Sequence, residues 1–269
     1  LITTVPSMIV SIYGFPPLEL IIFTLLGGTL LAVSANVLNQ IFEIETDRLM
    51  ERTANRPLVT GEINKKSAYV YSTSLGLVGF LVLYTQTTEL AAFIALSANI
   101  FYSFIYTLVL KPRTNQNIVI GGAAGAAPVL IGWSATGTNL DTGSWLLFLL
   151  VFLWTPAHFW ALSIDKLNDY KDANFPMLPT QESYKRTSIF IGIYSCATVL
   201  TSLLLAPILQ LGMVYLLLSL IFGLYLMYKS YQLYRKQIKA ISYFVFSNTY
   251  LAVIFLSMVA DIFITLSSI

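Results

Sequence analysis

The stretch SLLLAPILQLGMVYLLLSLIFGLYLMY, residues 202–228, decides the fold class because it has no charged side chain and no apolar–polar alternation. Strands of membrane barrels alternate over about ten residues, and only helices and closed barrels satisfy their backbone inside a bilayer. A helix needs about 20 apolar residues to cross the hydrocarbon core. The stretch therefore predicts the end of one membrane-spanning helix, a short turn and a second such helix.

The composition of the whole chain is that of an integral membrane protein. Of its 269 residues, 57% are hydrophobic and 10% are charged, whereas about 25% are charged in an ordinary soluble domain. Disorder is excluded, since disordered chains combine low hydrophobicity with high charge. The formal net charge of +2 predicts no nucleic-acid partner. The single cysteine, Cys196, excludes an internal disulfide and a cysteine-cluster metal site.

Apolar stretches recur along the rest of the chain. Residues 1–13 are interpreted as the second half of a truncated span. The complete stretches cover residues 18–42, 67–86, 90–110, 117–135, 144–164, 188–206, 212–228 and 241–264. The sequence thus predicts an all-α, polytopic membrane helical bundle with about nine transmembrane helices, forming a single domain over residues 1–269.

The positive charges predict the orientation of this bundle. All fifteen Lys and Arg residues follow the second, fourth, sixth or eighth predicted span, and the other connections carry none. By the positive-inside rule the cationic loops are cytoplasmic. Nine of the thirteen acidic residues lie in two of these regions, residues 36–66 and 154–186. The two regions begin four spans apart, which hints at a duplicated helical unit.

The first acidic region contains a row of oxygen-bearing side chains. Asn39, Glu43 and Asp47 are spaced four residues apart and so share one face of a helix. Such a row is a candidate site for Mg²⁺, which takes oxygen ligands and is often shared with substrate phosphates. Arg48, Arg52 and Arg56 repeat this spacing and could form a phosphate-facing row. The alternative is a solvated helix end laced with ion pairs, for instance between Arg48 and Glu51.

The second acidic region follows the sixth predicted span. Asp165, Asp169 and Asp172 also fall on one helix face, which would let two Mg²⁺ ions bridge a diphosphate between the two regions. His158, the single histidine, lies about two turns earlier in apolar and aromatic company. It could be a metal or heme-iron ligand, a proton carrier or a hydrogen-bonded core residue.

Between these regions lies a short basic loop followed by small residues. On charge alone, residues 111–117 (KPRTNQN) serve only as a topology signal. Residues 121–128 (GGAAGAAP) permit close helix packing or leave room for a bulky ligand. Packing is the favoured interpretation, and Gly27 and Gly28 are expected to act in the same way.

Four blocks of sequence together carry a family resemblance. They are Asn39-x3-Glu43-x3-Asp47 with Arg48-x-Met50-x-Arg52-Thr53-x2-Arg56-Pro57-Leu58; Tyr106-Thr107 and Leu110-Lys111-x-Arg113 on to Ala126; Pro128 with Ile131-Gly132-Trp133; and Trp154-Thr155-Pro156-x-His158-Phe159-Trp160 with Asp169-Tyr170 and Pro176-Met177-Leu178-Pro179. They resemble the UbiA superfamily of intramembrane prenyltransferases over nearly the whole chain. The block around His158 resembles the heme O synthase branch rather than quinone-directed relatives.

The resemblance implies a reaction and a set of site residues. The reaction is transfer of a farnesyl group from farnesyl diphosphate to a vinyl group of heme b (protoheme IX), with water addition, giving heme O and diphosphate. The implied Mg²⁺ ligands are Asn39, Glu43, Asp47 and Asp169, with Asp165 as a further candidate. The implied diphosphate-neutralising residues are Arg52, Arg56, Lys111, Arg113 and Lys166, and the further substrate-binding residues are Asn117, Trp154, His158 and Tyr170.

The chain departs from the family pattern at two places. Glu43 stands where the family's first motif usually has Asp, and its carboxylate is one methylene longer. Asp165 and Asp172 do not belong to the recognised second motif, in which the recurring acid is Asp169. His158 is expected to contact heme, either at the iron or at a propionate.

The resemblance also implies a location and partners. We expect a multi-pass protein of the bacterial inner membrane, with the acidic regions on the cytoplasmic side. Its substrates are farnesyl diphosphate and heme b, its surroundings are the lipid bilayer, and a heme A synthase or oxidase assembly factors would act downstream.

Two other functions fit the same features. One is a related prenyltransferase that acts on a quinone precursor or another acceptor. The other is a heme-binding membrane transporter, since paired acids and broken helices also occur in transporters. Transporter sites lie near the midplane of the membrane, whereas the acids here crowd the predicted cytoplasmic ends, which favours an enzyme.

Overall fold

A computed structural model describes residues 2–267, and all its regular elements are helices. The long helices are α2 (Leu18–Phe42), α5 (Lys65–Gln86), α6 (Glu89–Leu110), α7 (Asn117–Ala135), α8 (Thr142–Asp165), α11 (Tyr184–Ile208), α12 (Met213–Tyr234) and α13 (Ala240–Ser267). Among the described residues, these eight are long and apolar enough to cross a membrane. The all-α prediction is confirmed, and the eight complete spans begin and end within six residues of their predicted bounds.

The short helices lie at the N-terminus and in the two acidic regions. They are α1 (Thr4–Ile12), α3 (Ile44–Asp47), α4 (Pro57–Thr60), α9 (Leu167–Asp172) and α10 (Leu178–Gln181). With nine residues, α1 is about 14 Å long, which is about half the thickness of the hydrocarbon core of a bilayer. It packs against α7 and α13, and the Ser7 hydroxyl donates to the Val129 carbonyl over 2.7 Å.

The order of helices repeats in two halves of four spans each. In each half, a long helix (α2 or α8) is followed by a break, two short helices and a second long helix (α5 or α11). Both second helices begin at a side-chain cap, where Asn64 accepts from the Ser67 amide and Ser183 accepts from the Arg186 amide. This repeat places the two acidic regions at equivalent points of the two halves.

Small residues allow the helices of the first half to approach closely. A Cβ on Gly27 would lie 2.9 Å from the Gly79 carbonyl oxygen, so α2 and α5 touch through their backbones. Gly121 of α7 has no room for a side chain because the Tyr106 ring covers it. The packing role predicted for these glycines is therefore confirmed at Gly27 and Gly121.

Candidate active site

The row of oxygen-bearing side chains in the first acidic region crosses a break between α2 and α3. At Glu43 the backbone departs from helical geometry, with φ −103° and ψ 11°. The hydrogen bonds still run four residues back, from the Glu43 amide to the Asn39 carbonyl (3.0 Å) and from the Asp47 amide to the Glu43 carbonyl (2.7 Å). Asn39, Glu43 and Asp47 are all buried. The row is therefore continuous, and it is not a solvated helix end.

Two cations neutralise the buried carboxylates. Lys111 Nζ lies 2.6 Å from each carboxylate oxygen of Glu43, and Arg56 Nη1 lies 2.5 Å from Asp47 Oδ2. A buried ion pair gives little net stability, but removing one partner strands a buried charge at a cost of about 3–5 kcal/mol. Each of these four residues therefore depends on its partner.

A local change of helix type helps to place Lys111. From Phe101 to Leu110, α6 is a π-helix, and the Lys111 amide donates five residues back to the Tyr106 carbonyl over 2.8 Å. In this part of α6, Thr107 accepts a hydrogen bond from Asn39 Nδ2 over 3.1 Å, while Lys111 binds Glu43. The pairs Asn39–Thr107 and Glu43–Lys111 thus join α2 to α6 along one line. π-Helical geometry within an α-helix is rare and is frequently found at functional sites.

The predicted arginine row does not act as a unit. Arg48 pairs with Glu45 over 3.1 Å on the surface, and Arg52 is exposed without an ion pair in the described chain. Arg56 turns back to Asp47 because the chain folds between them, where the Thr53 hydroxyl donates to the Asp47 carbonyl over 3.0 Å. One of the three arginines therefore reaches the carboxylates directly.

The second acidic region is more open than the first. Helix α8 ends at Asp165, Lys166 breaks the helix with φ −104° and ψ 31°, and α9 follows. Asp165 and Lys166 form a surface pair at 3.6 Å. Asp169 is half-buried and Asp172 is exposed. Where the first region breaks at a buried carboxylate, the second breaks at this exposed lysine.

The two acidic regions nevertheless meet at one end of the bundle. Phe175 follows α9 in the chain, and the Lys111 ammonium lies 4.4 Å from the centre of its ring. Burial raises the pKa of Tyr170, and the charges of Asp169 and Glu43 act in the same direction while that of Arg52 opposes them. Tyr170 therefore stays protonated at neutral pH and lies within electrostatic reach of both regions.

A buried amide adjoins this junction. Asn117, at the start of α7, is fully buried, and its Nδ2 donates to the Lys111 carbonyl over 3.3 Å. Its Oδ1 has no hydrogen-bond partner among the described residues. Burying an acceptor without a partner costs free energy. A ligand or water that donated a hydrogen bond to this oxygen would recover that cost.

A cavity of about 370 Å³ lies beside the carboxylate row, within the size range of small-molecule sites. Its wall is apolar or small over most of its surface, with polar groups contributed by Asn36, Asn99, Tyr102, Tyr106 and three threonines. Asn36 lies one turn before Asn39, and Tyr106 adjoins Thr107. Gly28, Gly121, Gly122 and Gly125 also line the cavity, so the small residues leave room for a ligand as well as allowing close packing.

His158 lies in the interface between α8 and α13. Its ring stacks between Trp154, at 4.2 Å, and Phe244, at 4.1 Å, and its Nδ1 lies 2.7 Å from Ser247 Oγ. The Ser247 hydroxyl donates to the Phe244 carbonyl over 2.7 Å, so Nδ1 carries the proton in this pair. His158 and Trp154 do not line the cavity. These contacts are those of a hydrogen-bonded core residue, and the expected contact with heme stays a prediction.

Other residues of the same block line the cavity instead. Thr155 and Phe159 follow Trp154 and His158 by one position each and line the cavity. They are four residues apart, so they share one face of α8.

The site also contains Thr107 and Phe175, which the sequence does not predict as site residues. Their contacts depend on how separate elements pack, and no local sequence pattern indicates that packing.

The residues of the first region fit a hard divalent cation. Two carboxylates and one amide supply oxygen donors, and the cations lying against Glu43 and Asp47 show that these oxygens attract positive charge. No group of three or more His, Cys, Asp or Glu residues converges among the described residues. A cation here would complete its shell with water or substrate oxygens, as Mg²⁺ commonly does.

Comparison with known proteins identifies the family. The sequence description of the UbiA prenyltransferase family matches residues 1–259. The chain belongs to this family. The predicted resemblance is therefore confirmed, and a prenyltransferase is supported over a transporter.

Several curated relatives of this UbiA family chain carry the same name. Proteins called protoheme IX farnesyltransferase are 41% identical to it in Leifsonia xyli subsp. xyli and 42% identical in Clavibacter sepedonicus, each match covering 97% of this chain and 87% of the relative. A Thermus thermophilus protein of the same name is 40% identical, with 97% of this chain and 43% of the relative covered.

Solved structures share the fold of this UbiA family chain. A structure described in work on digeranylgeranylglyceryl phosphate synthase has a TM-score of 0.81 at 21% identity and covers 97% of this chain and 92% of its own. A UbiA homolog from Archaeoglobus fulgidus, bound to DMAPP and Mg²⁺, has a TM-score of 0.67 at 15% identity, with 96% and 94% covered. At these identities the likeness supports the fold alone.

Proposed function

We propose that this protein transfers the farnesyl group of farnesyl diphosphate to a vinyl group of heme b, with addition of water, giving heme O and diphosphate. The observation that carries this proposal is the name shared by relatives about 40% identical over 97% of the chain. The site agrees with it, because a charged end suited to a diphosphate adjoins an apolar cavity suited to a prenyl chain.

The charged end of the site would hold the diphosphate. Lys111 and Arg56 place positive charge there, and the exposed Arg52, Arg113 and Lys166 add to the field around it. Asn39, Glu43 and Asp47 would hold Mg²⁺, with Asp169 as the candidate ligand from the second region. When bound, this ion supplies positive charge against the diphosphate oxygens as they become a leaving group. Support for a metal comes from the Archaeoglobus relative bound to DMAPP and Mg²⁺.

The apolar cavity would hold the farnesyl chain and keep stray water from its reactive carbon. The bond between C1 and the diphosphate oxygen breaks, and C1 forms a bond to the outer carbon of the heme vinyl group. Water adds its oxygen to the inner vinyl carbon and releases one proton. Every 1.4 kcal/mol by which the site's charges stabilise the departing diphosphate speeds ionisation about tenfold.

The test of this function is direct conversion of heme b. The purified full chain in lipid nanodiscs would be incubated with heme b, farnesyl diphosphate and Mg²⁺. The heme products would then be separated by chromatography and identified by mass spectrometry. We expect heme O and one diphosphate per heme, both lost with EDTA. Prenylation of a quinone precursor with heme b left unchanged would establish the other acceptor class instead.

We also propose that the charged end of the bundle faces the cytoplasm of a bacterial inner membrane. The support is the confinement of all fifteen cations to one set of loops. Heme b and farnesyl diphosphate would then be taken up from the cytoplasmic side, and heme O would pass to a heme A synthase or to oxidase assembly factors.

A further inference from the structure

The cations of the site contact three of the four carboxylate oxygens that Glu43 and Asp47 offer to a metal ion. Lys111 contacts both oxygens of Glu43, and Arg56 contacts Oδ2 of Asp47. Both carboxylates are buried, with 6% and 2% of their surface exposed, so water cannot easily replace a lost partner. In this arrangement the two carboxylates are already neutralised.

The same two cations are the ones that the diphosphate would use. A divalent cation arriving alone would have to displace Lys111 and Arg56 and leave them without a counter-charge. A diphosphate arriving alone would draw them away and strand two buried carboxylates, which is costly. If both ligands arrive, the carboxylates take the metal, the cations take the diphosphate, and every charge keeps a partner.

We propose that Lys111 and Arg56 mask the metal-binding oxygens of Glu43 and Asp47, so that the divalent cation and the diphosphate bind with strong positive linkage. The inference rests on the proposed function and adds to it a dependence of metal binding on the substrate. Metal would enter this site together with substrate, and the empty protein would hold it weakly. By thermodynamic reciprocity, the metal must raise the affinity for diphosphate by the same factor as the diphosphate raises that for metal.

Neighbouring contacts would keep Lys111 in place while it changes partner. The Phe175 ring lies under its ammonium group at 4.4 Å, and the Asn117 amide holds its carbonyl. Neither contact uses Glu43. Lys111 can therefore release the carboxylate by a local movement of its side chain.

The first test measures metal binding with no substrate present. Mn²⁺ would be titrated into the purified full chain in nanodiscs, and free Mn²⁺ followed by electron paramagnetic resonance. We expect Lys111→Met to raise the affinity for Mn²⁺ by about 5-fold or more, a usual size for coupling between sites, and Arg56→Met to act in the same direction. Lys239→Met is the matched control, because this exposed loop cation lies outside the site residues and makes no ion pair in the described chain, so its removal should leave the affinity unchanged.

Two further measurements make the result decisive. The double variant Glu43→Gln/Lys111→Met replaces the masked carboxylate with a neutral amide and also removes the masking cation, so it should lose the gain in Mn²⁺ affinity. In the wild-type protein, inorganic diphosphate should raise the affinity at matched free Mn²⁺, and in Lys111→Met it should raise it less. Thermal unfolding with and without Mn²⁺ verifies that each variant is folded, and Mn²⁺ should stabilise Lys111→Met more than the wild type.

The masking would be refuted if folded Lys111→Met and Arg56→Met bound Mn²⁺ no more tightly than the wild type. Such a failure is distinguishable from failure of the proposed function. Heme O formation by the wild-type protein tests the function alone, whereas Mn²⁺ binding without substrate tests the masking alone.

Discussion

At the scale of single residues, Asp47 is held by both its side chain and its backbone. Its carboxylate accepts from Arg56, its carbonyl accepts from Thr53, and 2% of its surface is exposed. Under the proposed function this carboxylate has two purposes, because it balances Arg56 in the empty protein and would supply an oxygen to a metal in the loaded one. The neighbouring Glu45 has neither purpose, since it pairs with Arg48 on the surface.

We expect Asp47→Ala to lower Mg²⁺-dependent heme O formation by roughly 10²–10³-fold, the usual loss when one preorganised electrostatic group is removed. The measurement is heme O released per minute by the protein in nanodiscs. Glu45→Ala, two positions away, should retain its rate. Turnover of Asp47→Ala at the wild-type rate, in protein with a normal unfolding temperature, would rule out Asp47 as a metal ligand.

His158 gives a second residue-scale prediction. Its ring fills the space between Trp154 and Phe244, and its Nδ1 bonds Ser247. We expect His158→Ala to destabilise the protein by about 3 kcal/mol, because it opens a cavity between two aromatic rings. His158→Phe should recover most of this loss by refilling the stack. Thermal unfolding measures the stability of both variants, and spectroscopic titration measures their affinity for heme b. An unchanged unfolding temperature with a selective loss of heme binding would contradict this prediction and show that His158 contacts heme.

At the scale of elements, hydropathy predicts the spans well and their interruptions poorly. The eight complete spans could be placed from sequence because each needs about 20 apolar residues in a row. The breaks at Glu43 and Lys166 and the π-helix before Lys111 have no such signature. The break at Glu43 and the π-helix accompany tertiary pairing, since Asn39 contacts Thr107 and Glu43 contacts Lys111 only when α2 lies beside α6.

The π-helix of α6 carries an element-scale prediction. Deleting Leu108, whose side chain is 42% exposed, would shorten the path from Thr107 to Lys111 and turn Lys111 by about 100° around the helix axis. The Asn39–Thr107 bond would survive, whereas the Glu43–Lys111 pair would not. We expect the deletion to lose heme O formation while circular dichroism shows unchanged helix content.

Leu108→Ala is the control for that deletion. It removes the same exposed side chain without changing the spacing, so its rate should remain within about 2-fold of the wild type, as for most exposed substitutions. A deletion variant that retains full turnover would show that the π-helical spacing is not needed to place Lys111.

At the scale of the whole molecule, the site belongs to neither half alone. The acidic row and its two cations come from the first half, whereas Phe175 and Tyr170 come from the second. From sequence, the row Asn39–Glu43–Asp47 and the need for nearby cations could be predicted, because regular spacing implies one helix face. Which cation meets which carboxylate could not, because Lys111 lies 68 positions from Glu43 and Arg56 reaches Asp47 through a loop.

The contact between Lys111 and Phe175 is where the second half acts on the first, and it can be tested without touching a charge. A cation–π contact contributes about 0.5–2 kcal/mol, or roughly a 2- to 30-fold change in affinity. We expect Phe175→Leu to raise KM for farnesyl diphosphate within this range while kcat changes little, because the ring positions Lys111 without touching the reacting atoms. Phe175→Tyr keeps the aromatic face and should restore KM. If Phe175→Leu lowered the unfolding temperature but left KM unchanged, the ring would be a packing residue, and the two halves would have to be coupled through Tyr170 instead.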